Sequence, residues 1–210
     1  MQNRKHTAWK KNRKLTDVHG GRMSPKITDN IFNRMHSLRR PGPGEATPIV
    51  IEDNPSRDYY FPADGAQCLA ALRKLPRKDV DELTHLWLRR PGVAHRRIGS
   101  PLGTFICGSG VRVIVMYPWR VDGRLCLGRA PPTPGVRRDY ERFGAVIETH
   151  RGWWYICFER EPLRDFFLHV LFHEVGHHVD WYRRHWSKAN VKGTEEAAEQ
   201  YALRHSRGPA

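Results

Sequence analysis

Long apolar runs are missing from this 210-residue chain. No segment approaches the roughly 20 apolar residues that a membrane-crossing helix needs, so no membrane span is expected. The basic opening MQNRKHTAWKKNRKL is not followed by an apolar core. It makes a poor secretory signal, and cytoplasmic residence is expected, with signal-independent export left open. Cysteine is scarce as well. Cys68, Cys107, Cys126 and Cys157 stand far apart and form no C-x-x-C pair, which argues against a disulfide framework and against a cysteine zinc site. Acids are outnumbered, with 22 Asp and Glu against 36 Lys and Arg and a formal net charge of +14. Such an excess favours weak attraction to nucleic acid, acidic membranes or acidic proteins. No dedicated nucleic-acid-binding motif accompanies the charge, so the charge alone does not define that function.

What is present fits one domain and a tail. Residues 1–46 are rich in Lys and Arg and close on RRPGPGEATP. They read as a flexible basic arm and linker, with a short helix around ITDNIFNRMHSL, where Ile31, Met35 and Leu38 share a face. The folded domain is expected over residues 47–207, opening with a strand at PIVIED. GAQCLAALRKL and RKDVDELTHLWLRR then carry apolar residues at helical spacing, with Val80, Leu83, Leu86 and Leu88 as a buried stripe. From Thr104 the period changes to that of strands. TFIC and VRVIVMY flank Ser109-Gly110, Asp122-Gly123 leads into RLCLG, APPTPG is a loop, and FGAVIETH and WWYICFE flank Arg151-Gly152. An antiparallel meander of about four to six strands follows from these signals. PLRDFFLHVLFHEVGHHVDWYRRH is the longest helical pattern, with Pro162 in its first turn and Leu163, Phe167, Val170, Leu171 and Trp181 toward the sheet. A last helix is expected from Thr194 as N-cap, reading TEEAAEQYALRH. The fold class is therefore α+β.

The chemistry concentrates in HEVGH, residues 173–177. On a helix His173 and His177 lie one turn apart on one face, so two imidazoles reach one tetrahedral zinc. Glu174 points beside them, placed to take a proton from an activated water. Gly176 costs a helix about 1 kcal/mol relative to alanine, which suits a close approach by backbone or substrate. A third ligand is required. Asp180 and Arg183 stand where a metzincin would have glycine and histidine, so that class is excluded. His185 and His205 are candidates, and Glu195, 18 residues after His177, is the better placed. It opens an E-x-x-A-E-x-x-A helix whose Ala197 and Ala198 permit close helix packing. Glu199, one turn on, is placed to accept a hydrogen bond from a ligand imidazole, and Asp180 to do the same for His177.

These residues resemble the gluzincin metalloproteases. HEVGHHVDWY matches an H-E-x-G-H-x-x-D pattern and TEEAAEQYA an E-x-x-A-E helix, as in the anthrax lethal-factor-type catalytic domain and the Mlc titration-factor peptidases. The likeness covers about residues 160–205. It implies a zincin-like (minigluzincin) domain with N-terminal helices, an antiparallel or mixed sheet, an active-site helix and a C-terminal ligand helix. It implies Zn2+ on His173, His177 and Glu195, with Glu174 as general base and peptides or proteins as substrates. One departure is plain. The lethal-factor type has a tyrosine shortly before its ligand glutamate, and SKANVKG here has none. Tyr182, Tyr201, His178 or an arginine remain as oxyanion partners.

By the same likeness WWYICFE is expected to pair with an extended substrate, with Trp153, Trp154 and Tyr155 shaping the cleft. The main expectation is a zinc-dependent endopeptidase whose basic arm attracts acidic substrates or binds nucleic acid weakly. Two alternatives differ in class. One is a catalytically weak zincin-like fold that binds nucleic acid or protein, and the other is a toxin or effector of a mobile element.

Overall fold

The computed structural model describes residues 36–92, 98–108, 110–184 and 191–206. They form an α+β fold with five helices and nine strands among the described residues. The basic arm before His36 and most of the helix expected at ITDNIFNRMHSL lie outside the described residues, as does His185.

Strand β1 (Ile49–Glu52) follows a cis Thr47-Pro48 bond. It is followed by a two-residue strand, β2 (Tyr59–Tyr60), and by helix α1 (Gly65–Leu72). Asp64 accepts from Gln67 N–H and Gln67 accepts from Asp64 N–H, a capping box that starts α1. Helix α2 (Arg77–Val80) is one turn long, and strand β3 (His85–Leu88) comes next.

The second long helix expected over RKDVDELTHLWLRR is therefore corrected. Leu86 and Leu88 do bury completely, but on one face of a strand, while Trp87 turns to the other. Residues 86 and 88 have the period of two that belongs to a strand, and a parallel strand buried on both faces looks locally like a helix stripe.

Strands β4 (Gly103–Gly108) and β5 (Val111–Met116) pair antiparallel as expected. They join β1 and β3 in a four-stranded mixed sheet of order β1-β3-β5-β4, in which β1, β3 and β5 are parallel. Ile114 and Met116 of β5 pack on the main core, and Val111, Val113 and Val115 pack on the opposite face with Leu38. His36 is buried too, and Arg39 makes a two-pronged ion pair with Glu45. Residues 36–46 thus belong to the folded unit, upstream of the boundary expected at residue 47.

The single meander is likewise corrected, because the remaining strands form two further sheets. Strand β6 (Trp119–Arg120) pairs with β2. Strand β7 (Arg124–Gly128) pairs instead with β9 (Trp153–Cys157), which also pairs with β8 (Val146–His150). Asp122-Gly123 is a tight turn, with Gly123 at φ 68°, yet the strands on either side of it go to different sheets. The β8–β9 hairpin turns on Arg151 and Gly152, both at positive φ, the geometry that matches strand twist.

Helix α3 (Pro134–Glu141) replaces part of the expected APPTPG loop. Thr133 caps it and Pro134 opens it, but none of its residues is buried, so it shows no apolar stripe to betray it.

Helix α4 (Arg160–Arg184) leaves β9 and crosses the core. Leu163, Phe167, Val170 and Leu171 are buried as expected. Helix α5 (Val191–His205) returns against it. It begins one turn before Thr194, which is buried inside the helix and is not its N-cap. None of the helices described is long and apolar enough to cross a membrane.

Candidate metal centre

Helices α4 and α5 run antiparallel and meet through their smallest residues. A methyl group built on Gly176 would lie 2.7 Å from Ala198 Cα and 2.9 Å from Ala198 O. Ala198 itself is fully buried. Gly176 therefore lets the two backbones touch, and this contact brings the acidic face of α5 to the histidines of α4.

The Glu195 carboxylate lies 3.3 Å from His173 Nε2 and 3.5 Å from His177 Nε2. The two rings are nearly perpendicular, with centroids 4.7 Å apart. One donor atom each from His173, Glu174 and His177 also falls within 4.8 Å of the others. In a tetrahedral zinc site with bonds of about 2.0–2.1 Å, adjacent donors are separated by roughly 3.3–3.4 Å. Glu195 comes near that edge through its two oxygens, Oε2 toward His173 and Oε1 toward His177, so a small rotation of the carboxylate would present one oxygen to a shared ion. Two imidazoles and a carboxylate are also the donor set suited to zinc.

The groups around this triangle are electrostatically coupled. Burial lowers the His177 pKa, helped by His173 and opposed by Glu195 and Asp180. A lowered value favours the neutral imidazole that binds metal. Burial also acts to lower His173, but the carboxylates of Glu199, Glu174 and Glu195 outweigh it and leave its pKa raised. Hydrogen bonds from His169 and His173 hold Glu199 far below the usual carboxylate range.

Glu199 accepts from His173 Nδ1 at 3.4 Å, which leaves His173 Nε2 facing Glu195. Arg142, just past α3, approaches the other Glu199 oxygen at 3.5 Å. Asp180 is buried on α4, and its charge reaches His177.

Glu174 is 6% exposed and is packed under β4. A methyl group on Gly103 would lie 2.8 Å from Glu174 Cγ, and the Phe105 N–H donates to the Glu174 carboxylate. Burial pushes the Glu174 pKa up to about 7, against the opposing pull of His173. A carboxylate with that value accepts and releases a proton near neutral pH.

No family model matches this chain, and neither a curated protein nor a solved structure matches it. The site therefore stands on its own geometry.

The structure brings together His173, Glu174, His177, Glu195 and Glu199. It separates several other residues from them. His205 packs its ring, tilted by 40°, against Tyr201 at 4.5 Å between centroids instead of joining the triangle. The Tyr201 hydroxyl donates to the buried Asp79 carboxylate at 3.0 Å, which commits it away from an oxyanion role. His178 is 2% exposed and stands edge-on to Phe105.

Trp153, Trp154 and Tyr155 sit in β9, the middle strand of its sheet. Both edges of β9 are already paired, so the expectation that WWYICFE adds a substrate strand is corrected. Arg129, Arg137 and Arg124 lie over the Trp153, Trp154 and Tyr155 rings, at 5.1, 5.1 and 5.9 Å from their centroids. The residue that sequence reasoning missed is His169. It lies one turn before His173, and the repeat of His169, His173 and His177 at four-residue spacing was the available signal.

His178 makes acid stability measurable. Its pKa is lowered from 6.5 to about 4, chiefly by burial, with Arg112 adding to the effect. The folded state holds it neutral, so its contribution is complete above pH 6.5 and is lost as pH falls towards 4. The loss is about 3 kcal/mol. Urea unfolding of the metal-free chain at pH 7 and pH 4.5 is expected to show a smaller difference in His178→Gln than in the wild type. An equal difference would sink the assignment.

Proposed function

We propose that this protein is a zinc-dependent metalloendopeptidase of the gluzincin kind, on a zincin-like fold. The observation that carries the reading is the placement of the Glu195 carboxylate at 3.3 and 3.5 Å from His173 Nε2 and His177 Nε2. His173, His177 and Glu195 would hold the metal. Zinc there supplies Lewis acidity, which lowers the pKa of water from 15.7 to about 7 and polarises a carbonyl.

The chain's own residues do the rest. Glu174 takes the proton of the attacking water and returns it to the leaving amine, a role that suits a carboxylate held within 4.8 Å of both imidazole donors. Glu199 holds the His173 ring so that Nε2 presents its lone pair. Substrate positioning falls to β4. It is an edge strand of the mixed sheet, at the end opposite β1, and abuts Glu174 through Gly103 and Phe105. An extended peptide added beside β4 places its backbone next to the proton carrier.

The test uses the full chain. Metal analysis is expected to find about one zinc per chain, as a single three-residue site implies. A peptide library is expected to be cleaved by the zinc-loaded protein and spared after chelation. A chain that takes up no zinc at neutral pH rules the reading out. A chain that takes up zinc and cleaves no peptide rules out the peptidase.

A further inference from the structure

The histidine ladder of α4 has a third rung. His169, His173 and His177 face α5 one turn apart, and Glu195 and Glu199 interleave with them. His169 is 5% exposed, enclosed by Phe143 at 4.6 Å and Phe166 at 6.4 Å between ring centroids. Its Nε2 lies 3.2 Å from Glu199 Oε2, the same oxygen that His173 Nδ1 approaches at 3.4 Å. On its far side Nδ1 lies 2.8 Å from the Ser206 hydroxyl, which is anchored 2.5 Å from the Ala202 carbonyl oxygen. Both nitrogens of a buried ring are thus engaged, and the chain of contacts runs from the end of α5 to a metal-facing imidazole.

We infer that His169 is a positioning residue of the metal centre. With Ser206 behind it, His169 locks Glu199 in place, and through Glu199 it fixes the tautomer and orientation of His173. The inference rests on the metal-binding reading given above.

The physical argument concerns Glu199. A glutamate side chain has three flexible torsions, and holding it in one geometry has an entropic cost. Two ring N–H donors converging on Oε2 and Arg142 near Oε1 restrict it to one position. Without His169, one donor to that oxygen disappears inside a pocket walled by Phe143 and Phe166. Glu199 is then free to swing toward Arg142 and solvent, and the His173 ring loses the acceptor that sets its tautomer. The Ser206 hydroxyl donates to the Ala202 carbonyl, so its oxygen accepts from His169 Nδ1–H. A ring protonated on both nitrogens gives Nε2–H to Glu199 at the same time, which holds the ring in that orientation.

The experiment is a chelator-competition titration of zinc into the full-length chain at neutral pH, with metal-free unfolding measured in parallel. His169→Phe, which preserves a buried ring and removes both nitrogens, is expected to weaken zinc binding by about 10–100-fold. His169→Gln, whose amide can donate to Glu199, is expected to recover part of that loss, a rescue that simple core filling would not produce. Ser206→Ala is expected to weaken binding by about fivefold, the equivalent of one neutral hydrogen bond. Wild-type affinity in a folded His169→Phe protein overturns the proposal and leaves the metal site standing. If His169→Phe does not fold, unchanged affinity in Ser206→Ala overturns it. Absence of zinc binding in the wild type removes the metal reading and this proposal together.

Discussion

A Glu174→Gln protein is expected to carry as much zinc as the wild type while its peptide hydrolysis falls by about 10²–10⁴-fold. The substitution leaves His173, His177 and Glu195 untouched, so the triangle of donors persists. It also keeps the shape of the side chain beneath Gly103 and an oxygen for the Phe105 N–H. What disappears is the ability to accept a proton. The neutral amide suits the buried position, because burial already disfavours the charged carboxylate and pushes its pKa to about 7. Stability is therefore expected to hold. Metal content, a urea melt and single-turnover hydrolysis on the same preparation check the three statements together. Hydrolysis at the wild-type rate would remove Glu174 from the mechanism.

Gly176→Ala is expected to do the opposite, damaging the site without touching any donor atom. In an isolated helix the change would stabilise by about 1 kcal/mol. Here the new methyl group would meet Ala198 Cα at 2.7 Å, Ala198 O at 2.9 Å and Tyr201 Cβ at 3.1 Å. Two of these are backbone atoms, which cannot rotate aside, so α5 itself must move. Overpacking of this sort costs about 1–3 kcal/mol and outweighs the helix propensity. The displacement also reaches the proposed metal site, because Ala198 lies three residues from Glu195 and one from Glu199 on the same helix. Zinc affinity is expected to fall by more than about 10-fold, at least the effect of losing a supporting carboxylate. Chelator competition reads the affinity and urea unfolding reads the stability. A variant more stable than the wild type with unchanged zinc affinity would show that the helices do not meet as tightly as described.

Both predictions use residues that the sequence already marks. Glu174 sits in a five-residue pattern, and a glycine inside a long helix invites the question of what approaches it. The strands at Ile49–Glu52, Gly103–Gly108 and Val111–Met116 were legible from their punctuation, and α4 from its length and periodicity. Three features were not. The strand at His85–Leu88 reads as helix in the sequence, because burial on both faces hides the alternation that identifies a half-buried strand. Helix α3 sets only Tyr140 firmly against the core, so it leaves no apolar stripe. The division of the later strands into two sheets depends on which partner each strand meets, and Asp122-Gly123 announces a turn without naming the strands it serves.

The candidate site divides along the same line. Spacing along one helix determines that His173 and His177 share a face and that Glu174 stands beside them, because the 3.6-residue turn is a local property of the backbone. The E-x-x-A-E pattern similarly puts Glu195 and Glu199 one turn apart. Only the tertiary structure decided which rung meets which: Glu195 between His173 and His177, and Glu199 between His173 and His169. It also decided that β4, not β9, borders Glu174, and that Tyr201 is committed to Asp79. Those outcomes depend on contacts between residues far apart in the chain, such as Gly176 against Ala198 and Gly103 against Glu174. Helical periodicity does not encode such distances, whereas close packing of backbone on backbone sets them.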